Sequence, residues 1–326
     1  MISVIVPTFD RPDGLIRAVT SLFQQTLVRD GFDLIIVDNT PDATATDAIA
    51  ELRAACPSDV NLIALHEPAA GVANARNHAM GAVTTDLVAF LDDDQSAPET
   101  WLESLRESYR HLPAAVTFGP VLTELPDDQA RHKAYFETFF AREPGLKRGY
   151  TDEAFGIGNA LVDFSKTPGG PPWFDTAMNE SGGEDDFLFE RIRQAGGSFA
   201  WAADAPVWEH PPKERVTLQY TLKRAFSYGQ APITLARRTK KNAMAATALW
   251  MLIGFGKLGL HGLAWTALSL IRHPGRAFEL DKAIRGLGKI LWWVDLRFYG
   301  AAVLAKSPST APPQTAPVCA KEAEQA

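Results

Sequence analysis

The stretch Val88–Asp94, VAFLDDD, is an apolar run that ends abruptly in three consecutive carboxylates. Apolar residues on both parities predict a strand covered on both faces, as in parallel α/β sheets. Carboxylates at its C-terminal end would gather where open α/β sheets bind ligands. Asp92 and Asp94 share a parity, so an extended backbone would point both the same way. A hard divalent cation with phosphate co-ligands is the natural neutraliser of such a pair. A second carboxylate group, Glu184-Asp185-Asp186, follows the turn Ser181-Gly-Gly183 and opens a predicted helix. At that helix end the macrodipole favours ionised carboxylates, and Asp186 reads as a residue that serves this purpose alone.

The elements that must position these groups alternate along residues 1–110. Ile2–Val6 is a strand ending at Pro7-Thr8, with Asp10 or Asp13 to cap the helix that follows. Leu34–Val37 is a strand ending in Asp38-Asn39, Leu62–Leu65 a third, and Leu87–Leu91 the fourth. Helices are expected after the first two and over Val72–Gly81. This alternation predicts a parallel sheet with right-handed crossovers. Residues 115–210 are less regular. Strands are expected at Val116–Leu122, Gly156–Val162, Phe199–Ala202 and Pro206–Trp208, and helices at Asp128–Phe140 and Glu184–Gln194. The loop Thr167–Trp173 is too rich in Pro and Gly for regular structure.

The net charge of −7 conceals a division: residues 1–210 carry −18 and residues 211–326 carry +11. The acidic part holds the candidate cation site, and the basic part is suited to an anionic partner. The two cysteines, Cys56 and Cys319, form no disulfide framework, and Met1 leads directly into a strand pattern rather than a secretory leader. At 46% apolar content the chain can bury a substantial core.

Taken in order, IVPTFDRP, IIVDN, GVANARNHA, FLDDD, SGGEDDFLFERIRQAGG and WAADAPVWEHPP resemble the nucleotide-diphospho-sugar transferases of glycosyltransferase family 2. The likeness covers about residues 2–235 and is strongest to the bacterial exopolysaccharide and cell-surface glycan branch. It implies the GT-A fold, a Rossmann-like mixed sheet flanked by helices. It implies a nucleotide-binding half over 1–110 and an acceptor-binding half over 111–235.

By the same resemblance, Pro7, Thr8, Asp10, Arg11, Asp38, Arg76, Asp92 and Asp93 bind the nucleotide sugar. Asp38 would accept from a uracil or thymine ring N–H, which favours a UDP- or dTDP-type donor. Arg76 would face either the base or the phosphates. Asp94 would hold Mg²⁺ or Mn²⁺, with Asp92 reaching the ribose or the metal. His210 is either a further metal ligand or a structural histidine before the Pro-Pro turn. Asp185 would be the general base and Glu184 would bind the acceptor or orient the site. Asn159 and Trp173 are candidates for sugar or acceptor contacts, Trp173 having loop packing as its alternative. Lys223 and Arg224 would clamp the diphosphate or meet a lipid surface. Where the family's processive synthases carry QxxRW, this chain reads Gln219-Tyr-Thr-Leu-Lys-Arg224, which points to one sugar per encounter.

The implied reaction is inverting transfer of a sugar to a glycan hydroxyl. Two other readings are a sugar-phosphate nucleotidyltransferase and a non-catalytic scaffold. The first lacks its Gly-rich loop in PTFDRPDG, and the second has no need of intact DDD and ED groups.

Beyond Val216 the character changes. Thr217–Arg238 is a basic amphipathic helix, and Ala243–Gly256 and Leu258–Ile271 are uncharged stretches separated by Lys257. Neither reaches the ~20 residues of a span, so a re-entrant or interfacial hairpin is expected. Arg237, Arg238, Lys240 and Lys241 precede this block, and Arg272 and Arg276 follow it, which places both ends in the cytoplasm. Residues 236–306 therefore read as a monotopic membrane-association region on the cytoplasmic side of the plasma membrane. Trp250, Trp265, Trp292 and Trp293 would anchor it, and inner-leaflet phospholipid would be its partner. A polyprenyl-linked acceptor suits that location, as does a homo-oligomeric contact of the same helices; nucleic acid is not an expected partner. Ala277–Leu304 is a further amphipathic pattern, and 307–326 reads as a disordered tail.

Overall fold

In the computed structural model of the chain, the described residues are 1–126, 131–179, 182–239, 242–294 and 296. The tail expected over 307–326 lies outside them, as do the start of the helix expected from Asp128 and most of the pattern beyond Val294.

The first half follows the expected alternation: β1 (Ile2–Thr8), α1 (Pro12–Phe23), β2 (Phe32–Asp38), α2 (Thr46–Ala55), β3 (Val60–His66), α3 (Val72–Ala82) and β4 (Leu87–Leu91). A short β5 (Gln95–Ser96) and α4 (Trp101–His111) complete it. Then come β6 (Val116–Phe118), β7 (Val121–Thr123), α5 (Lys133–Phe140), β8 (Gly149–Thr151), β9 (Asn159–Asp163), α6 (Glu184–Gln194), β10 (Phe199–Trp201) and β11 (Val207–Glu209). Three helices close the described chain: α7 (Leu218–Thr239), α8 (Ala243–Leu270) and α9 (Arg276–Ile290).

The large sheet has the order β3-β2-β1-β4-β9-β6-β10-β8. β1 to β4 run parallel, whereas β9 is antiparallel to both its neighbours. Every residue of β2 is buried, because alternate side chains enter two different cores. Leu34 and Ile36 join Leu15, Leu22, Leu52 and Trp101 of α1, α2 and α4 on one face. Ile35 and Val37 join Ala75, Ala79, Leu188 and Ile192 of α3 and α6 on the other. Each fully buried aliphatic side chain of this kind contributes about 1.5–3 kcal/mol. The chain leaves β1 toward β2 on one side and returns to place β4 on the other. That switch opens a crevice at the C-terminal ends of β1 and β4, where open α/β sheets hold ligands.

Two expected elements divide differently. Val116–Leu122 is not one strand: β6 belongs to the large sheet and β7 to a small one of order β5-β11-β7. The break falls at Gly119-Pro120, where proline has no N–H for a ladder. The two apolar stretches around Lys257 form no hairpin of their own, because α8 is one continuous helix of 28 residues. Gly256 weakens the helix there but no proline removes a ladder hydrogen bond, and a single exposed lysine leaves the backbone ladder intact.

The helix that folds back on α8 is α9. Gly254 and Gly286 let those two backbones meet closely, since a Cβ on Gly254 would stand 2.8 Å from the Gly286 carbonyl oxygen. Gly229 and Gly288 do the same for α7 against α9, where a Cβ on Gly288 would stand 2.0 Å from the Phe226 carbonyl oxygen. The 235/236 division read from the sequence falls inside α7.

Candidate active site

The crevice at the ends of β1 and β4 opens into a cleft of about 2180 Å³ that runs from the DDD carboxylates past the start of α6 to α7 and α9. Pro7, Thr8, Asp10, Arg11, Arg76, Asp92, Asp93, Asp94, Glu184 and Asp185 all line it.

The strand stops at Leu91 and a turn takes over, closed by the Gln95 N–H donating to the Asp92 carbonyl at 3.0 Å. That turn overrides the parity argument, which required an extended chain. Asp93 and Asp94 converge instead, because the Arg11 guanidinium donates to both at 2.8 Å. Asp93 also accepts from the Thr8 hydroxyl at 2.9 Å, which ties β1 to the turn. Burial pushes its carboxyl up to about 6, against Arg11 and with Asp94 adding to the rise. Arg215, at 3.4 Å, gives Asp94 a second cation.

Asp92 faces the other way, toward α6. Arg76 on α3 donates to Asp92 at 3.2 Å and to Glu184 through its other terminal nitrogen. Arg76 is buried and packs over the Phe174 ring, so it bridges the two carboxylate groups. Burial alone would lower its pKa; Glu184, Asp92 and Asp185 outweigh that and hold it charged. Burial raises the Glu184 carboxyl to about 7, Arg76 opposes the rise, and Asp185 adds to it.

Asp185 is more open. It accepts from the Ile157 N–H at 3.1 Å, and a Cβ on Gly156 would stand 3.5 Å from the same carboxylate oxygen. It thus faces the cleft from the first turn of α6. Gly183, at φ 94°, supplies the left-handed residue that starts the helix there.

Several residues singled out in the sequence have other roles. Asp38 lies outside the cleft lining and caps its own loop, accepting from Thr40 N–H and hydroxyl and from Ala45 N–H. Asn159 is buried between the two sheets, donating to the Pro120 and Ala205 carbonyls and accepting from the Trp101 indole. Both of its N–H donors are used and the side chain is buried outside the cleft lining. Trp173 packs edge-on to Phe164 in the core that α3 and α6 cover. His210 shares a 2.8 Å hydrogen bond with Ser96 and places its other ring nitrogen 3.4 Å from Glu124. Its ring nitrogens thus face Ser96 and Glu124 rather than the DDD carboxylates. Lys223 is exposed and outside the lining, whereas Arg224 lines the cleft far along α7.

Three lining residues escaped the sequence reading. Glu209, one residue before His210, is pushed up to about 8 by burial, with Asp94 adding to the rise. Arg142 stands 3.9 Å from it. Arg215 is the third. The strand alternation of β11, with Trp208 exposed, could have flagged Glu209; nothing local marks Arg142.

The donor set bears on a cation. Asp92, Asp93, Asp94 and Glu209 are crowded hard oxygen donors: Asp94 adds to the raised pKa of both Asp93 and Glu209, and Asp92 to that of Glu209. Among the described residues no three His, Cys, Asp or Glu side chains converge on one point. Such a set fits Mg²⁺ or Mn²⁺ held by one or two carboxylates and completed by phosphate oxygens and water.

Residues 3–165 match the glycosyltransferase family 2 model. The chain is also 30% identical to the succinoglycan biosynthesis protein ExoM of Rhizobium meliloti over 70% of this chain and 73% of that one. The chain belongs to glycosyltransferase family 2. Its architecture is the family's GT-A fold. It superposes on the mannosyltransferase PcManGT of Pyrobaculum calidifontis, solved with GDP-Man and Mn²⁺, with a TM-score of 0.59 at 19% identity, covering 90% of this chain and 88% of that one. S. aureus TarS 1-349 with UDP-GlcNAc gives 0.51 at 13% identity, covering 87% and 89%. The family read from the motifs is thus the family of the chain, and these two proteins, of similar fold, were solved with nucleotide sugars.

Proposed function

We propose that the protein is an inverting, metal-dependent glycosyltransferase that moves a sugar from a nucleoside diphosphate to a hydroxyl of a lipid-linked glycan acceptor. The reading places it in exopolysaccharide or cell-surface glycan assembly, by likeness to the succinoglycan protein. The observation that carries it is the Arg76 bridge. It ties the wall that carries the DDD turn to the wall that carries the ED pair, which supports a donor held by the first beside a base on the second.

In this reading Asp185 accepts the proton of the acceptor hydroxyl as that oxygen forms its bond to the anomeric carbon. The bond to the diphosphate oxygen breaks on the opposite face, and the configuration inverts. Glu184, locked on Arg76, does not move a proton; it holds Arg76 against Asp92 and keeps the two walls in register. Asp94 would hold Mg²⁺ or Mn²⁺, while Asp92, turned toward Arg76, would reach the ribose. The bound cation supplies neutralisation of the charge that grows on the leaving diphosphate. Arg11 and Arg215 keep the turn carboxylates fixed until that charge arrives.

Membrane attachment belongs to the same reading. α8 is long and apolar enough to cross a bilayer, with a mean hydropathy of 1.5 over its best window, of which 11% is buried. At 1.5 Å per residue its 28 residues extend about 42 Å. α9 packs along it and carries Glu279, Lys282 and Arg285, and His261 of α8 bonds Glu279 at 2.7 Å. Crossing would draw those charges into hydrocarbon. Lying flat, α8 buries Leu249, Leu252, Phe255, Leu260 and Leu263 in the interface and leaves α9 on the protein side. The reading is therefore peripheral, on the cytoplasmic face.

The test is titration of the purified protein with UDP, dTDP, GDP and ADP, with and without Mn²⁺. Saturable, metal-dependent binding of one nucleotide that is lost in Asp94→Ala supports the reading. Absence of binding to folded protein, or full turnover in Asp185→Asn, overturns it.

A further inference from the structure

The cleft is more than twice the ~300–1,000 Å³ of an ordinary small-molecule site. Its carboxylate end is one portion only. The other is a wall made by α7 and α9, whose charge is reversed. Of the described lining residues on those helices, Arg224, Arg238, Lys282 and Arg285 are cations and Asp281 is the sole carboxylate. At the centre of this wall Tyr228 is 42% exposed although it faces a cleft. Arg224 lies 4.8 Å from its ring centre and Arg285 lies 5.1 Å from it. Phe139 of α5 stands 6.1 Å from the same ring, and Arg285 is oriented by Asp281 at 2.5 Å. Beyond this group the lining becomes apolar at Trp292, Trp293, Val294 and Leu296.

Two guanidinium groups seated on one aromatic ring suit a phosphate or diphosphate, because guanidinium groups bind phosphate oxygens in pairs. We propose that this α7–α9 wall is the acceptor subsite, and that it takes a glycan whose reducing end carries a phosphate or diphosphate. The phosphates meet Arg224 and Arg285, and the Tyr228 ring holds those two guanidinium groups in place. The inference rests on the transferase reading for what occupies the opposite end of the cleft. It also separates the two ends: Arg224 serves the acceptor and not the donor diphosphate. The same chemistry is offered by a prenyl diphosphate-linked glycan or by a free sugar phosphate, and the apolar end of the cleft favours the first.

Geranyl diphosphate is the probe, titrated calorimetrically into the full-length protein in EDTA. Tyr228→Ala and Arg224→Gln should each weaken binding at least tenfold, and Tyr228→Phe should retain it. A nucleotide that binds wild type with Mn²⁺ should bind Arg224→Gln equally well. Inorganic pyrophosphate binding tenfold more weakly than geranyl diphosphate assigns the site to a lipid-borne phosphate; equal affinity assigns it to free phosphates. No binding of geranyl diphosphate, or binding indifferent to both substitutions in folded variants, overturns the proposal. So does loss of metal-dependent nucleotide binding in Arg224→Gln, which would return Arg224 to the donor. Failure of every nucleotide to bind wild type would remove the donor reading, while the geranyl diphosphate result would still decide the wall.

Discussion

The carboxylate end of the cleft and the helical layer of α7 to α9 are held by opposite means. At the first, nearly every polar group has a charged partner: Arg11 on Asp93 and Asp94, Arg76 on Asp92 and Glu184. At the second, cohesion comes from backbones in near contact at Gly229, Gly254, Gly286 and Gly288, with apolar surface left outward on α8. One region is fixed by paired charge and tolerates no lost partner; the other is fixed by shape and tolerates no added atom. In the function proposed above, chemistry that needs a set geometry would sit on the first, and a surface that meets something large on the second.

The largest expected effect breaks the charged end without touching its fold. Asp185→Asn keeps the hydrogen bond from Ile157 but removes the base, so turnover should fall by roughly 10²–10⁴. The melting temperature should stay within a degree or two. A comparable loss of nucleotide binding would instead mean that Asp185 belongs to the donor site.

Next is Arg76→Ala, which leaves buried Glu184 without its cation at a cost of about 3–5 kcal/mol. Pairing it with Glu184→Leu should recover most of that stability in denaturant titrations, while activity stays low. Failure of the second substitution to rescue would show that Arg76 holds the walls through Asp92 instead.

The shape-fixed region is tested by Gly288→Ala. In an unpacked helix this change gains about 0.5–1 kcal/mol. Here the new methyl meets the Phe226 carbonyl, so a loss of about 1–3 kcal/mol is expected. A stabilised variant would mean that α9 does not pack on α7 as described.

This contrast also explains what could be read from the chain. The motifs at the ends of β1, β4 and at the start of α6 are short in sequence, and parallel strands necessarily bring their C-terminal ends together. The DDD and ED groups were therefore legible, although the turn after Leu91 reversed which carboxylates converge. Asp38 and Asn159 are bound to partners within the protein, and a buried polar side chain at a strand end serves a loop or a second sheet as readily as a ligand. Only the partners decide, and Thr40, Ala45, Pro120 and Ala205 carry no signal of that role. The α8–α9 hairpin was hidden for a different reason. Lys257 looks like a break in an apolar run, but a charge does not interrupt the backbone ladder, and Gly254, Gly256 and Gly259 weaken the helix without removing a hydrogen bond from it. Arg142 and Glu209 meet only through the long-range pairing of β7 with β11 and the bridge from Val121 to Arg142.

The smallest effect concerns Lys289, the charged group buried where shape otherwise governs. Its ammonium donates to the Gly229 carbonyl at 3.1 Å and lies 5.3 Å from the Trp250 ring centre. Burial lowers its pKa to about 8, and Lys257 and Arg285 add to the fall. Because the folded value lies below the unfolded value near 10.5, the unfolded chain binds more protons between those two pH values. Stability should therefore rise with pH from about 8 to 10.5, and the full penalty of the buried charge should apply below 8. Lys289→Met removes that penalty but also the hydrogen bond and the cation–π contact, each worth about 1 kcal/mol. The variant should differ from wild type by only on the order of 1 kcal/mol at pH 7, and its stability should be flatter across the alkaline window. The decisive reading is the slope rather than the offset: equal slopes for the two proteins in urea titrations from pH 8 to 10 would mean that Lys289 reaches water, and that the seam between α7 and α9 is open.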